Sequence, residues 1–559
     1  MARIPSNTQS EPTTEPEPEP EPQLAHEACM VTNHGANPLN TGQLAGWDCR
    51  RGSAKLVCMM KIKTNAALLA ASGVVLSLTA PLTATAATAG APAPLDWATC
   101  EGSGLDPRQQ CATLEVPMDY ANPSGAKISV AVSRIPSEKP QARRGALLLI
   151  PGGPGGSSLN TPSGKGQKLP QEVRDAYDLI GFDPRGLGRS TPVTCGLEYG
   201  DLATSKLRPW PAPDGSITEN MATAQRMSDA CARNGGELIR HISTANNARD
   251  IDRIRAALGE QKLSAWGVSY GTYVGAVYSR LFPHRTDRIV LDSNDDPDHT
   301  RVARAWLAGH EAGVEDTFPE FATWASTPGN PDRLAERASE VRPLFLRLAE
   351  KLDREPIPWP GANPQELNGN VLRQAMLDGL YAPSGYPGLA RLILAAQQGT
   401  APPAPQAPPE SVLQNVTAVG AGTLCNDIAW PKTAAAYEKD VAKSRAAYPL
   451  TAGMTRNAML CAAWPFTPKE PPVRITDHGP SNILLIQNQR DVATPLSGAL
   501  NLRKALGKRA TMVTVNSTGH DAYLANGNEC GDRTVSHYLA TGERPHRDTY
   551  CGMRSRSGE

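Results

Sequence analysis

The sequence predicts an α/β protein, a mostly parallel β-sheet with helices on both faces and a helical lid inserted late in the chain. Three observations carry this. Short apolar runs such as GALLLI (145–150) and YDLIGF (177–182) suit strands buried on both faces, and each ends in a Gly/Pro-rich turn. Helical patterns alternate with such runs at the spacing of βαβ units. Between 294 and 480 the strand signals give way to helical patterns.

Residues 1–58 contain a Pro/Glu repeat, TEPEPEPEP, and the stretch after it shows no sustained period of 2 or 3.6, so they are expected to be disordered. Residues 59–86 read as a secretory signal: Lys61 and Lys63 form a basic start, Ala66 to Leu82 an apolar stretch, and Ala84-Thr85-Ala86 a cleavage site. A signal belongs at an N-terminus, so the true start is expected at Met59 or Met60. Gly73 and Pro81 interrupt the short apolar run, which argues against a stable membrane anchor.

Residues 87–293 form the first part of the sheet domain. CATLEVPMDY (111–120) and KISVAVSRI (127–135) alternate apolar and polar residues around a turn and predict a β-hairpin. The two buried strands follow. TANNARDIDRIRAALG is a helix with Thr244 as its N-cap and Gly259 as its stop, leading into the strand LSAW, and DRIVLDS is one more strand. The lid, 294–480, holds the helical patterns VRPLFLRLAEKL, GNVLRQAMLDGLY and GLARLILAAQQG and the linker TAPPAPQAPPES. Residues 481–559 complete the domain with NILLIQNQRD, a helix from Pro495 to Leu506, ATMVTVNSTGH, and a helix around Thr534 to Leu539.

Lys plus Arg and Asp plus Glu number 56 each, so there is no basic field for nucleic acid or an anionic membrane. Eight cysteines follow the signal: Cys100, Cys111, Cys195, Cys231, Cys425, Cys461, Cys530 and Cys551. They allow on the order of a hundred pairings. Their order in four separated groups favours neighbours, 100 with 111, 195 with 231, 425 with 461 and 530 with 551, in an exported protein. No Cys-x-x-Cys or His-x-x-x-His spacing points to a metal, and no cofactor is expected.

The chemistry centres on WGVSYGTYVG. Gly267 and Gly271 flank Ser269 in a strand-to-helix turn, where small residues let the backbone approach closely and leave the hydroxyl exposed at a helix N-terminus. Such a serine needs a base oriented by an acid, and in turns of this type the acid and then the histidine come later in the chain. His520 directly follows the strand TMVTV, whereas His537 lies in a helix and His546 in a charged turn. Asp491 follows NILLIQ. Asp521 is set aside, since adjacent loop side chains rarely face one another. The backbone N–H groups of Tyr270 and of Gly153, in the loop PGGPGG, are the expected oxyanion donors. That loop fits neither phosphate-binding glycine pattern.

These motifs, together with DWATC, CATLEVPMDYANPSG, GFDPRGLGRS, RIVLDSNDDP, LCNDIAWP, CAAWPF, QNQRDVATP and STGHDAY, resemble the secreted actinobacterial tripeptidyl aminopeptidases. These are serine exopeptidases of the α/β-hydrolase fold, related to prolyl iminopeptidases. The resemblance implies Ser269, Asp491 and His520 as triad, Gly153 and Tyr270 at the oxyanion, and release of short peptides, usually tripeptides, from the free N-termini of peptides or proteins. Two departures stand out: Pro151 where prolyl iminopeptidases usually carry His, and Ser293 where Gly is expected.

An aminopeptidase must hold a positive N-terminus, and the acidic residues near the lid are Asp295, Asp296, Glu311, Glu315, Asp316 and Glu320, with Glu311 and Glu315 the candidates. With His520 as base, activity is expected to fall below about pH 6.5. The competing readings are a secreted carboxylesterase with the same triad, and an inactive binding protein on the same fold.

Overall fold

The computed structural model describes residues 47–52, 55–60 and 94–552. The chain divides into two units, Met1–Thr85 and Ala86–Glu559. In the first, Trp47–Gly52 and Lys55–Met60 pair as an antiparallel ribbon. An isolated two-stranded ribbon has little apolar area to bury. The rest of the 1–58 stretch, and the expected signal beyond Met60, lie outside the described residues.

The second unit is built on a ten-stranded sheet. Its strands are β1 (Ala98–Thr99), β2 (Gln110–Pro117), β3 (Lys127–Ile135), β4 (Gly145–Ile150), β5 (Tyr177–Phe182), β6 (Leu263–Val268), β7 (Thr286–Asp292), β8 (Ile483–Arg490), β9 (Ala510–Thr518) and β10 (Thr549–Cys551). Their spatial order is β10-β9-β8-β7-β6-β4-β5-β3-β2-β1. From β10 across to β5 the neighbours run parallel, and β3, β2 and β1 add antiparallel at one edge. All of β4 is buried, and its alternate residues face opposite ways. Leu148 and Ile150 join the apolar cluster on one face, Leu147 and Leu149 that on the other.

Helices α1 (Thr244–Ala257) and α2 (Tyr270–Leu281) cover the first face through residues such as Ile251 and Val274. Ser243 caps α1, its hydroxyl accepting from Asn246 N–H. The expected cap, Thr244, is instead the first helical residue, because its N–H and hydroxyl both bond to the buried Asp427 carboxylate.

Between β7 and β8 lie α3 (Ala303–Trp324), α4 (Ala338–Arg354), α5 (Gly369–Gly379), α6 (Tyr386–Gln397), α7 (Glu410–Asp427) and α8 (Ala435–Ala447). The first four share a core of their own, with Phe318, Phe345, Met376 and Ile393 at its centre. Of the later part, Leu450, Ala452 and Met454 still pack into it, while α7 does not. Ala418, Val419, Trp430 and Trp464 join the core of the sheet domain. Small residues make this possible: Gly422 lies so close to Ile242 that an added Cβ would sit 3.0 Å from the Ile242 Cβ. Residues 294–480 thus pack partly into a helical cap and partly against the core of the sheet domain.

Beyond β8, α9 (Leu496–Leu506) and α10 (Glu529–Thr541) complete the layers, α10 covering the second face through Val535 and Leu539. Disulfides join Cys100 to Cys111, Cys195 to Cys231, Cys425 to Cys461 and Cys530 to Cys551, the neighbour order that the sequence favours. Among the described residues no helix is long and apolar enough to cross a membrane.

Candidate active site

The strand order reverses at β4: the chain passes from β4 to β5 on one side and returns to β6 on the other. Such a switch leaves a crevice at the carboxyl ends of the strands. Both the Pro151–Gly153 loop after β4 and Ser269 after β6 open into it.

Ser269 has φ 58° and ψ −128°, a strained conformation for a residue with a side chain. The turn is held by close backbone approaches that only glycine permits. An added Cβ on Gly267 would meet Gly271 O at 2.4 Å, and one on Gly271 would meet Ile150 O at 2.5 Å. Helix α2 starts at Tyr270, so the Tyr270 N–H has no partner within the helix. Among the described residues the Gly153 N–H has none either, and Gly153 holds φ +117°.

His520 follows β9. Its Nδ1 lies 3.0 Å from each carboxylate oxygen of Asp491, which follows β8 and is fully buried. Asp491 also accepts the N–H groups of Ala493 and Thr494 and the Thr494 hydroxyl, each at 2.9 Å. Burial raises the Asp491 pKa, but the charge and hydrogen bond of His520 and the two backbone donors outweigh it, so this carboxyl stays below its ordinary range. Burial likewise pulls His520 down. The Asp491 charge and hydrogen bond, with the charges of Asp521 and Asp295, reverse that and push His520 up to about 9.

Ser269, His520 and Gly153 line one cavity of about 420 Å³. A larger surface concavity of about 1050 Å³, beside Arg533 and His537, contains none of the candidate residues. Tyr270 lies beside Ser269 with its hydroxyl bonded to Thr244 and Asn247. Asp521 turns away from Asp491 and pairs with Lys165 at 2.5 Å.

Glu311 and Glu315 do not line this cavity. Glu311 is buried against Arg456, Ser444 and Thr455, and Glu315 pairs with Arg342 at 2.8 Å. Both carboxylates already have partners, because α3 lies across α4 and the 3-10 turn Met454–Arg456. Neither sits free beside Ser269 to receive an amine.

Several residues of this region escape the sequence reading. Asp292, at the end of β7, and Asn488, in β8, hold the His520 turn by its backbone. A polar residue closing an apolar parallel strand was the available signal, since ligands gather at those strand ends. The Tyr381 backbone carbonyl accepts the His520 backbone N–H at 2.7 Å, and the Tyr381 ring stands edge-on to the imidazole, while Arg208 and Lys165 line the cavity. They come from connections with no recognisable motif.

The arrangement is that of a serine hydrolase, and the comparisons agree. Residues 145–355 match a family described as alpha/beta hydrolase fold, and residues 448–551 one described as TAP-like protein. The chain is 32% identical over 478 residues to the tripeptidyl aminopeptidase of Streptomyces lividans, covering 84% of this chain and 88% of that protein. It is 28% identical to the serine protease Hip1 of Mycobacterium tuberculosis H37Rv, over 82% of this chain and 91% of that one. It is also 28% identical to a carboxylesterase B of Mycobacterium tuberculosis CDC 1551, over 79% and 86%. With a parallel sheet of this order, a strained serine turn and a relative matched along most of both chains, the protein belongs to the tripeptidyl aminopeptidase family, serine peptidases of the α/β-hydrolase fold.

Proposed function

We propose that the protein is a secreted exopeptidase that releases short peptides, foremost tripeptides, from free N-termini through an acyl-enzyme. Ser269 attacks the scissile carbonyl while His520 takes its proton. Asp491 orients His520 and stabilises its cation, and the Gly153 and Tyr270 N–H groups receive the oxyanion. His520 then passes the proton to the leaving amine, and water releases the acyl group. The observation that carries this is the His520–Asp491 pair at 3.0 Å, on the wall of the cavity that also exposes Ser269. Four disulfides support export.

The test combines labelling and product analysis. A fluorophosphonate probe is expected to label the protein and to leave Ser269→Ala unlabelled. Mass spectrometry of a long peptide is expected to reveal three-residue losses that stop when the N-terminus is acetylated. Equal labelling of Ser269→Ala overturns the nucleophile; cleavage of the acetylated peptide overturns the exopeptidase reading. Rapid turnover of a simple acyl ester with no peptide cleavage would favour an esterase.

A further inference from the structure

The cavity that exposes Ser269 carries a cation that the proposed mechanism leaves unused. Its charged lining side chains are Lys165, Asp521, Arg208 and His520. Lys165 and Asp521 neutralise each other at 2.5 Å, and His520 is committed to Asp491. Arg208 is left. Its Nη2 donates to the Tyr381 hydroxyl at 2.9 Å, and its one carboxylate contact among the described residues is a long one, 3.4 Å from Nη1 to Asp378. Asp378 turns 53% of its side chain to solvent, against 25% for Arg208, and it does not line the cavity. The wall therefore presents a guanidinium without a matching charge inside the cavity. A guanidinium has five N–H donors in a planar fork, and among the described residues two are engaged.

Position assigns the side of the substrate. His520 returns its proton to the leaving amine, so the leaving fragment passes His520. The Tyr381 ring neighbours both: its centroid is 5.3 Å from the His520 ring and 5.8 Å from the Arg208 Cζ. Arg208 is thus linked through Tyr381 to the histidine wall of the cavity, the wall that the leaving fragment passes.

We propose that Arg208 binds a carboxylate of the leaving fragment, so that the enzyme favours peptides with a negative charge within about two residues after the cut. This rests on the peptidase reading above. Two sources supply that group: the C-terminal carboxylate of a short peptide, or an acidic side chain just beyond the scissile bond. In the first case the substrates are the short products of endopeptidases rather than whole proteins.

The experiment measures kcat/KM on two matched pairs. One is a tetra-alanine peptide with a free C-terminal carboxylate against its C-terminal amide. The other is an amidated pentapeptide with Glu against Gln at the fourth residue. A tripeptide anilide with a neutral leaving group serves as reference. In the wild type at least one pair is expected to differ about tenfold in favour of the acid, and the pair that differs names the source. In Arg208→Met that ratio falls to about one, and Arg208→Lys keeps an intermediate value. Each ratio is taken within one enzyme preparation, so partial unfolding of a variant cancels. Ratios within twofold of one for both pairs in the wild type, or a ratio unchanged in Arg208→Met, overturn the proposal. If neither the peptides nor the neutral reference are cleaved, the peptidase reading itself fails and this one falls with it.

Discussion

The Asp292 carboxylate accepts the backbone N–H groups of Ala522 at 2.8 Å and Tyr523 at 3.1 Å, tying the end of β7 to the turn that carries His520. Ser293, the departure from the expected glycine, adds a third tie: its hydroxyl accepts the Asp521 N–H at 3.0 Å. Both residues are fully buried.

Asp292→Asn turns one acceptor into a donor that faces an N–H group. Leaving a buried donor unmatched costs about 1–3 kcal/mol. The variant is expected to melt earlier and to lose at least about tenfold in kcat with a smaller change in KM, since the turn positions His520 rather than touching substrate. Fluorophosphonate labelling should slow in parallel. Labelling and kcat within twofold of the wild type would remove Asp292 from this role.

A second prediction concerns pH. With His520 pushed up to about 9, activity is expected to rise through neutral pH and inflect above the ordinary histidine value of 6.5. Stability runs the other way. Burial holds Asp292, Asp295 and Asp427 up at about 7 against an ordinary 3.8. Groups raised on folding stabilise the fold below their unfolded values and lose that contribution as pH climbs through the folded ones. For the three carboxyls the loss spans roughly pH 4 to 7, and for His520 roughly 6.5 to 9. Tm is therefore expected to fall between pH 5.5 and pH 9 while kcat/KM rises. A Tm that climbs over that range contradicts the assignment.

A third concerns helix α3. Gly313 lies against the Asp491 turn, where an added Cβ would meet Val492 O at 2.5 Å and Asp491 O at 2.7 Å. His310, on the same helix, bonds through Nδ1 to Val492 O at 2.9 Å; burial first, then the Arg208 charge, keep it neutral with a pKa of about 3. In an isolated helix Gly→Ala is favourable by about 1 kcal/mol. Gly313→Ala is expected to do the opposite, destabilising by about 1–3 kcal/mol and displacing Asp491 with loss of activity. Gly309→Ala is the control: its Cβ meets only the Pro495 ring, at 3.2 Å, and it should cost less. Denaturant titration with parallel assays separates the two.

The contrast between Ser269 and Arg208 marks what the sequence makes legible. Ser269, Asp491 and His520 each follow a buried strand, and strands of a parallel sheet declare themselves as short apolar runs ending in turns. Chain order then suffices to bring them to one edge. The glycines around Ser269 are legible for the same reason, since the turn demands them. Arg208 and Tyr381 reach the cavity from segments whose positions follow from long-range contact between the cap and the sheet domain, and nothing local encodes that. The same limit explains α7: its run VTAVGAGTLC has no strong apolar face, so its place against the sheet domain rests on small residues fitting Ile242 rather than on periodicity.

The final prediction bears on how the substrate amine is held. Glu311 is, with Glu315, a sequence candidate for that role, yet its carboxylate accepts from Ser444 Oγ at 2.8 Å, Thr455 Oγ1 at 2.9 Å and Arg456 Nε at 3.1 Å. Burial raises its pKa, and these donors with the Arg456 charge bring it below the usual range. An acid so engaged joins α3 to the turn after α8. Glu311→Gln leaves Arg456 without its counter-charge and is expected to destabilise the fold by about 1–3 kcal/mol. KM for a free tripeptide amide should stay within about twofold in the fraction that remains folded, as titrated by fluorophosphonate labelling. If the carboxylate instead received the substrate amine, KM would rise at least about tenfold at unchanged Tm. Measuring both on one preparation decides between a structural tie and a binding contact.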